Sequence, residues 1–430
     1  MDLKAIRTGM KYIALSIVLA LAACALQYLA GLAPQQSVRA HLIESMPQLI
    51  GEGLAPGVLY DGHPRSKLDN LSENYILTYS YYMDTRTDAD AILSNPGRQI
   101  QDPYDELFLQ TETLLSQELP ADTNYVRYWL GFRMYVRPML AIMNYMDARQ
   151  CIQWGFFILL GLVTIVLYRQ TKSLLVALAF PTAMSQLNPI VVASCFQYSA
   201  CFYIAFIGML LVPTVQKRRF TMPMLFFTIG FCTQVFDFYT APVLTCGLPL
   251  VMFLLLPETD ALPPRARWKR FFQCIFVWIL GYVGAWLMKM TLTTLFTPYN
   301  GLYDGLSRLL FWMQPAQSGG NTEKWLAIKA VYWCMINIVD LLPLIFEGLL
   351  LLLYAVTVLK TRPGKGIWTK NLPLLVACAL PILWFMAAAK PSYEQFYFQY
   401  RGLGILLFAG FAFLIRTAGW DKLFPEREIR

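Results

Sequence analysis

The sequence predicts an all-α polytopic membrane protein, with about ten transmembrane helices and a helical outer cap after the first span. Three observations lead there. Hydrophobic residues make up 57% of the chain and charged residues only 14%, against about 25% charged in a soluble domain. Apolar runs approaching the roughly 20 residues that cross a bilayer recur near 12–32, 152–168, 173–187, 193–214, 222–238, 241–257, 271–295, 335–359, 371–389 and 402–417. Lys and Arg collect in every second connection between those runs, the distribution of cytoplasmic loops under the positive-inside rule.

The elements follow in order. Residues 1–32 are a basic tail (Lys4, Arg7, Lys11) and a first span. Its apolar stretch outruns the roughly 7–15 residues of a signal-peptide core, so it reads as an uncleaved helix. Residues 33–150 form an extracytoplasmic loop domain, with turn signals at "APGV", "DGHPRS", "NPGR" and "ELPADTN". Residues 151–430 form the transmembrane bundle, with outer loops at 296–330 and 390–401. The third run is short and broken by "FPTAMSQLNP", and the window 325–345 is ambiguous. The stretch 296–330 reads as a short amphipathic helix followed by a Gly/Ser turn. Ten spans put both termini in the cytoplasm of a plasma-membrane protein. The formal charge of +8 is then the sum of inner-loop cations and points to no nucleic acid. Nine cysteines without a CxxC pair read as packing residues rather than a disulfide or zinc framework.

Candidate site residues gather on the outer side. Asp69 and Glu73 in "KLDNLSEN" share one face of a helix that begins there. The plain alternative is a capping box, with Asn70 as N-cap and Glu73 reaching back. In "YVRYWLGFRMYVRPMLAIMNYM", residues 125–146, Trp129, Phe132, Val136, Met139, Leu140 and Met143 make one apolar face, flanked by Arg133, Arg137 and Asn144. This reads as an interfacial helix whose arginines suit a lipid phosphate or snorkel beside aromatic anchors. In "KPSYEQFYFQYRGL", Lys390 and Arg401 bracket five aromatic residues that include Tyr400: a membrane-interface belt or a cationic, aromatic wall. Asp237 stands at the outer end of the fifth span, and Lys289 about 9 Å inside the outer end of the seventh. Charges in such places are functional suspects because they are costly in lipid. Asp340 and Glu347 near span eight, and His63 in a turn, are weaker suspects. No Walker A, GxSxG, HExxH or GxGxxG string occurs.

The layout resembles the GT-C class of integral-membrane glycosyltransferases, which carry an acidic residue on a long outer loop after the first span. "KLDNLSEN", "RYWLGFRMYVRPML", "FDFYTAPVLTCGLPL" and "KPSYEQFYFQYR" look like strings of bacterial polytopic membrane proteins, where they read nearer to "LDNxTD", "RYWHGY" and "NHSYxHxxFxYR". Here Leu130, Pro391 and Gln395 stand at histidine positions, and Glu73 replaces Asp. If those histidines contribute to chemistry, substrate or activity has changed. The resemblance implies a GT-C-like fold and transfer of a sugar from a polyprenyl-phosphate donor to a glycan or lipid acceptor of the cell envelope. Asp69 would be the general base and Glu73 its support. Arg133, Arg137, Lys289 or Arg401 would stabilise the departing phosphate, with Asp237 and Tyr400 completing the substrate site. No cofactor follows with certainty; a divalent metal fits such chemistry, though no motif demands one. The rival readings are a lipid or polysaccharide flippase, which predicts midplane charges and internal repeats, and a non-catalytic partner in envelope assembly.

Overall fold

The computed structural model describes residues 3–57, 66–101, 106–216, 222–237, 239–318, 321–338 and 341–420; His63 and Asp340 lie outside them. The chain opens with α1 (Leu3–Gly31) and then builds a cap from α2 (Gln35–Glu52), α3 (Asn70–Tyr81), α4 (Ala91–Ser94), α5 (Leu107–Ser116) and α6 (Arg133–Leu140). The bundle continues through α7 (Tyr145–Thr171), α8 (Leu174–Ser185), α9 (Pro189–Ala193), α10 (Phe196–Gln216), α11 (Met222–Phe236), α12 (Val243–Leu255), α13 (Pro257–Asp260) and α14 (Pro264–Phe296). It closes with α15 (Gly301–Met313), α16 (Leu326–Ile336), α17 (Leu341–Thr361), α18 (Lys365–Ala377), α19 (Leu380–Ala387), α20 (Ala389–Glu394), α21 (Phe396–Gln399) and α22 (Gly404–Ala418). Among the described residues, sheet is confined to two short antiparallel ladders, Pro96–Gly97 with Thr123–Asn124 and Gln317–Ser318 with Asn321–Thr322.

Seven described segments are long and apolar enough to cross a membrane: Gly9–Gly31, Tyr145–Thr171, Phe196–Gln216, Pro264–Phe296, Pro343–Thr361, Lys365–Ala387 and Phe396–Ala418. The other three expected spans are the helices α8, α11 and α12, of 12, 15 and 13 residues, short of the usual length. The ambiguous window holds another short apolar helix, α16.

Local chemistry fixes the helix ends. Asn144 caps α7 by accepting from Asp147 N, and Ser173 caps α8 by accepting from Val176 N, each satisfying an orphan amide of a first turn. Gly419 ends α22 in the left-handed region at φ 74°, where glycine meets no Cβ penalty.

Inside lipid, apolar burial alone does not drive helices together, so close packing must. At the α11–α14 crossing Gly230 lies against the Trp278 carbonyl and Gly281 against the Phe227 carbonyl, so a Cβ at either would overlap backbone. Gly281→Leu is therefore expected to push the helices apart and cost about 1–3 kcal/mol, read as a lower thermal midpoint in detergent.

Two cores result. The larger fills the bundle around Phe180, Phe206, Leu248 and Phe408; the second, built on Val38, Leu42, Leu77, Leu107 and Val136, belongs to the cap and reaches the bundle through Tyr145 and Phe196. At the far end of the bundle, Arg267, Lys370 and Arg416 converge on Asp260 at 3.2, 2.7 and 3.2 Å. Three connections read as inner from their basic residues thus share one end, opposite the cap.

The helix expected to lie along the membrane over 125–146 takes a different form. Only α6 is helical there before α7 begins, and Arg133, Val136, Arg137 and Leu140 are all buried. It packs against α1, α2 and α3 inside the cap. The hydrophobic periodicity was real, but the apolar face meets protein.

Candidate functional site

The acids at the head of α3 separate by one helical turn and do different things. Asp69, not Asn70, is the N-cap: its carboxylate accepts from Ser72 N at 3.1 Å and from Ser72 Oγ at 2.8 Å. Burial pushes its carboxyl above the ordinary range, with the Ser72 donors and the Arg401 charge pulling the other way. Asn70 turns inward and donates to Glu52 and to the Gly53 carbonyl.

Glu73 does not reach back to close a capping box. It is fully buried and accepts from Tyr145 Oη at 2.7 Å, Phe196 N at 3.1 Å and Gln197 N at 2.9 Å. The last two are first-turn amides of α10, where a carboxylate also meets the positive end of the helix dipole. Burial nevertheless dominates and raises the Glu73 carboxyl to about 7.

Three of the cations expected to face a lipid phosphate are committed inside the protein. Arg133 donates to Ala91 O, Gln27 Oε1 and Asn95 Oδ1. Arg137 donates to the carbonyls of Ser80, Tyr81 and Ala33. Burial draws their guanidinium groups down, Arg133 to about 9 and Arg137 to about 10. Lys289 donates to Leu93 O at 2.7 Å and sits 5.7 Å from the Trp129 ring centre. Together Arg133 and Lys289 tie down the last carbonyls of α4, a favourable place for cations.

Arg401 differs. Its guanidinium lies 3.9 Å over the Tyr198 ring and 5.0 Å from the Tyr400 ring centre. It donates to Tyr397 O at 3.4 Å; among the described residues its Nε has no partner, as is also true of the Arg133 and Arg137 Nε. Asp69 is within electrostatic reach but not ion-paired. Tyr400 is buried, with its hydroxyl directed to Leu187 O at 3.5 Å.

Asp237 occupies the most site-like position. Just beyond α11 it accepts from Thr240 N at 3.2 Å and lines a cleft of about 120 Å³ at the cap end. Four tyrosines (Tyr125, Tyr128, Tyr239 and Tyr282) and Trp312 supply aromatic walls, with Gln234, Gln395 and Arg308 as polar groups. The buried Gln395 Oε1 has no partner among the described residues. Leu130 and Gln395, both standing where the similar strings have histidine, line this same cleft. Hydrogen bonds link it to the cap acids: Glu73 accepts from Gln197 N, Gln197 O accepts from Thr240 Oγ1 at 3.2 Å, and Thr240 N donates to Asp237. Gln399 adds a bond to Tyr239 O at 2.8 Å.

Beside the cleft runs an apolar groove of about 330 Å³ between α7 and α10, lined by Met139, Ile152, Ala200, Tyr203, Ile204 and Ile207. Phe236 belongs to the walls of both. Exposed Ile207 and Trp154 mark the flank on which the groove opens.

The sequence reading missed Arg308, Gln234 and the four tyrosines, and named Gln395 only as a replaced histidine. Arg308 had a signal: it shares the inward face of an amphipathic helix with Gly301, Gly305 and Trp312. Among the described residues, no group of three His, Cys, Asp or Glu side chains comes together to hold a metal ion.

Fold and site together define an α-helical polytopic membrane protein with a polar, aromatic cleft between a helical cap and its bundle. No known family, curated protein or solved structure matches the chain.

Proposed function

We propose that the protein is an integral-membrane, GT-C-like glycosyltransferase that moves a sugar from a polyprenyl-phosphate donor to a glycan or lipid acceptor. In this reading the cap end faces the extracytoplasmic side of the plasma membrane and both termini are cytoplasmic. One observation carries the reading: a cleft with a carboxylate, amides and tyrosine faces adjoins, across Phe236, a groove lined almost wholly by hydrocarbon. A sugar on a lipid carrier has the same two halves, and aromatic faces with a few polar groups suit sugar rings.

In the proposed step Asp237 takes the proton of an acceptor hydroxyl, whose oxygen bonds to the anomeric carbon. The bond from that carbon to the phosphate oxygen breaks, and its electron pair leaves on the phosphate. We assign the base to Asp237 rather than Asp69 because Asp237 lines the cleft; hydrogen bonding does not separate the two, since Ser72 engages both Asp69 oxygens and Thr240 N both Asp237 oxygens.

Protein in nanodiscs with a labelled polyprenyl-phosphate sugar is expected to release free polyprenyl phosphate and label an acceptor. Movement of donor across the bilayer without consumption would instead establish a flippase. Asp69→Asn keeps an N-cap acceptor and is expected to hold transfer within an order of magnitude of wild type. Complete loss would return the base to Asp69.

A further inference from the structure

The amphipathic helix α15 presents two faces. Gly301 and Gly305 press on Met290 and Thr293 of α14, where a Cβ would overlap. Arg308 and Trp312 continue that inward face at helical spacing and line the cleft. The opposite face is apolar and open: Leu306 is 52% exposed, Leu310 62% and Met313 73%. A side-on helix with one apolar face bare lies at a bilayer surface, and exposed Trp325 and Tyr332 nearby have the character of interface anchors. α15 is also held in place: Asn300 caps it through Tyr303 N, and Asp304 pairs with Arg127 at 2.9 Å.

Arg308 is the cation on the cleft wall. Its guanidinium stacks over Phe311 and Trp312, with ring centres at 4.5 and 4.7 Å, and its buried Nε has no hydrogen-bond partner among the described residues. Among the described residues no carboxylate lies within ion-pairing distance of it. Neighbouring cations have partners that Arg308 lacks: Arg127 is ion-paired with Asp304, and Lys390 donates to the Phe311 carbonyl and sits over its ring. An arginine fork held flat on aromatic rings, with donors free, suits a phosphate.

We propose that α15 presents Arg308 at the depth of the lipid head groups as the phosphate-binding residue of the cleft, for a phosphate carried on an isoprenoid chain. This rests on the function proposed above and names the residue that reads the donor's anion. A phosphate bound by Arg308 has its chain beside the apolar groove, while Asp237 on the same cleft is left for the acceptor.

The test uses full-length protein in nanodiscs and three probes: farnesyl phosphate, farnesol and inorganic phosphate. Wild type is expected to bind farnesyl phosphate at least ten-fold more tightly than farnesol. Arg308→Ala should lose that preference while its farnesol affinity is unchanged, which also shows an intact fold. Arg308→Lys should recover part of it, because lysine keeps the charge but not the fork. An unchanged preference in Arg308→Ala overturns the assignment and leaves the transferase reading standing if wild type still consumes donor. Arg308-dependent binding without donor consumption does the reverse. Inorganic phosphate binding as tightly as farnesyl phosphate would overturn the lipid-carried part.

Discussion

Asp237→Asn is expected to lower sugar transfer by about 10²–10⁴-fold, the usual contribution of a positioned acid–base group. Donor binding should change little, because the amide is nearly the same size and its oxygen still accepts from Thr240 N. Thermal stability should barely move for the same reason. The pattern sought is a fall in turnover at saturating donor with the donor's apparent affinity retained, which marks an interaction made in the transition state. Asp237→Asn with wild-type turnover would move the reaction out of this cleft.

The second large effect is on stability, at Glu73. Glu73→Leu leaves Phe196 N, Gln197 N and Tyr145 Oη without their acceptor in a buried place. At about 1–3 kcal/mol per stranded donor, the loss should reach about 3 kcal/mol or more and show as poor accumulation or early melting. The pH dependence has a definite sign. Burial raises the folded carboxyl to about 7 from an ordinary 4.5, so the folded state holds this proton more tightly than the unfolded one. The stabilisation is present in full below about pH 4.5 and is lost as pH rises through about 7. At 1.36 kcal/mol per pH unit its span is on the order of 3 kcal/mol. Thermal midpoints in detergent at pH 5 and pH 8 should therefore differ for wild type, lower at pH 8, and differ less in Glu73→Gln. A wild-type midpoint rising toward pH 8, unchanged in Glu73→Gln, would contradict this account. Glu73 also stands at the start of the hydrogen-bonded chain that ends on Asp237, so its substitutions should disturb the site through position rather than chemistry.

Arg133, Arg137 and Lys289 show where reading the chain alone runs out. Residue type and position made them phosphate binders at a lipid surface. In the folded protein their donors meet Gln27, Asn95 and backbone carbonyls contributed by α1, α3 and α4. A cation in a greasy segment announces only that it needs acceptors; which acceptors come is decided by chain far away in sequence. Asp69 and Glu73 make the same point with acids: adjacent on one helix, one caps that helix and the other seals the start of α10.

The sequence by itself determined that this is a helical membrane chain, where its apolar helices run, that a cap follows the first of them, and that α15 is amphipathic. Hydropathy, periodicity and turn chemistry are properties of neighbouring residues, and lipid enforces them strongly because unpaired backbone has no water to turn to. The tertiary structure decided that Asp237 and Arg308, 71 residues apart (308 minus 237), line one cleft, that Leu130 and Gln395 join them, and that Phe236 divides that cleft from an apolar groove. Such meetings depend on how helices cross, set here by close contacts such as Gly230 on the Trp278 carbonyl and Gly281 on the Phe227 carbonyl, and no local pattern in the chain encodes them.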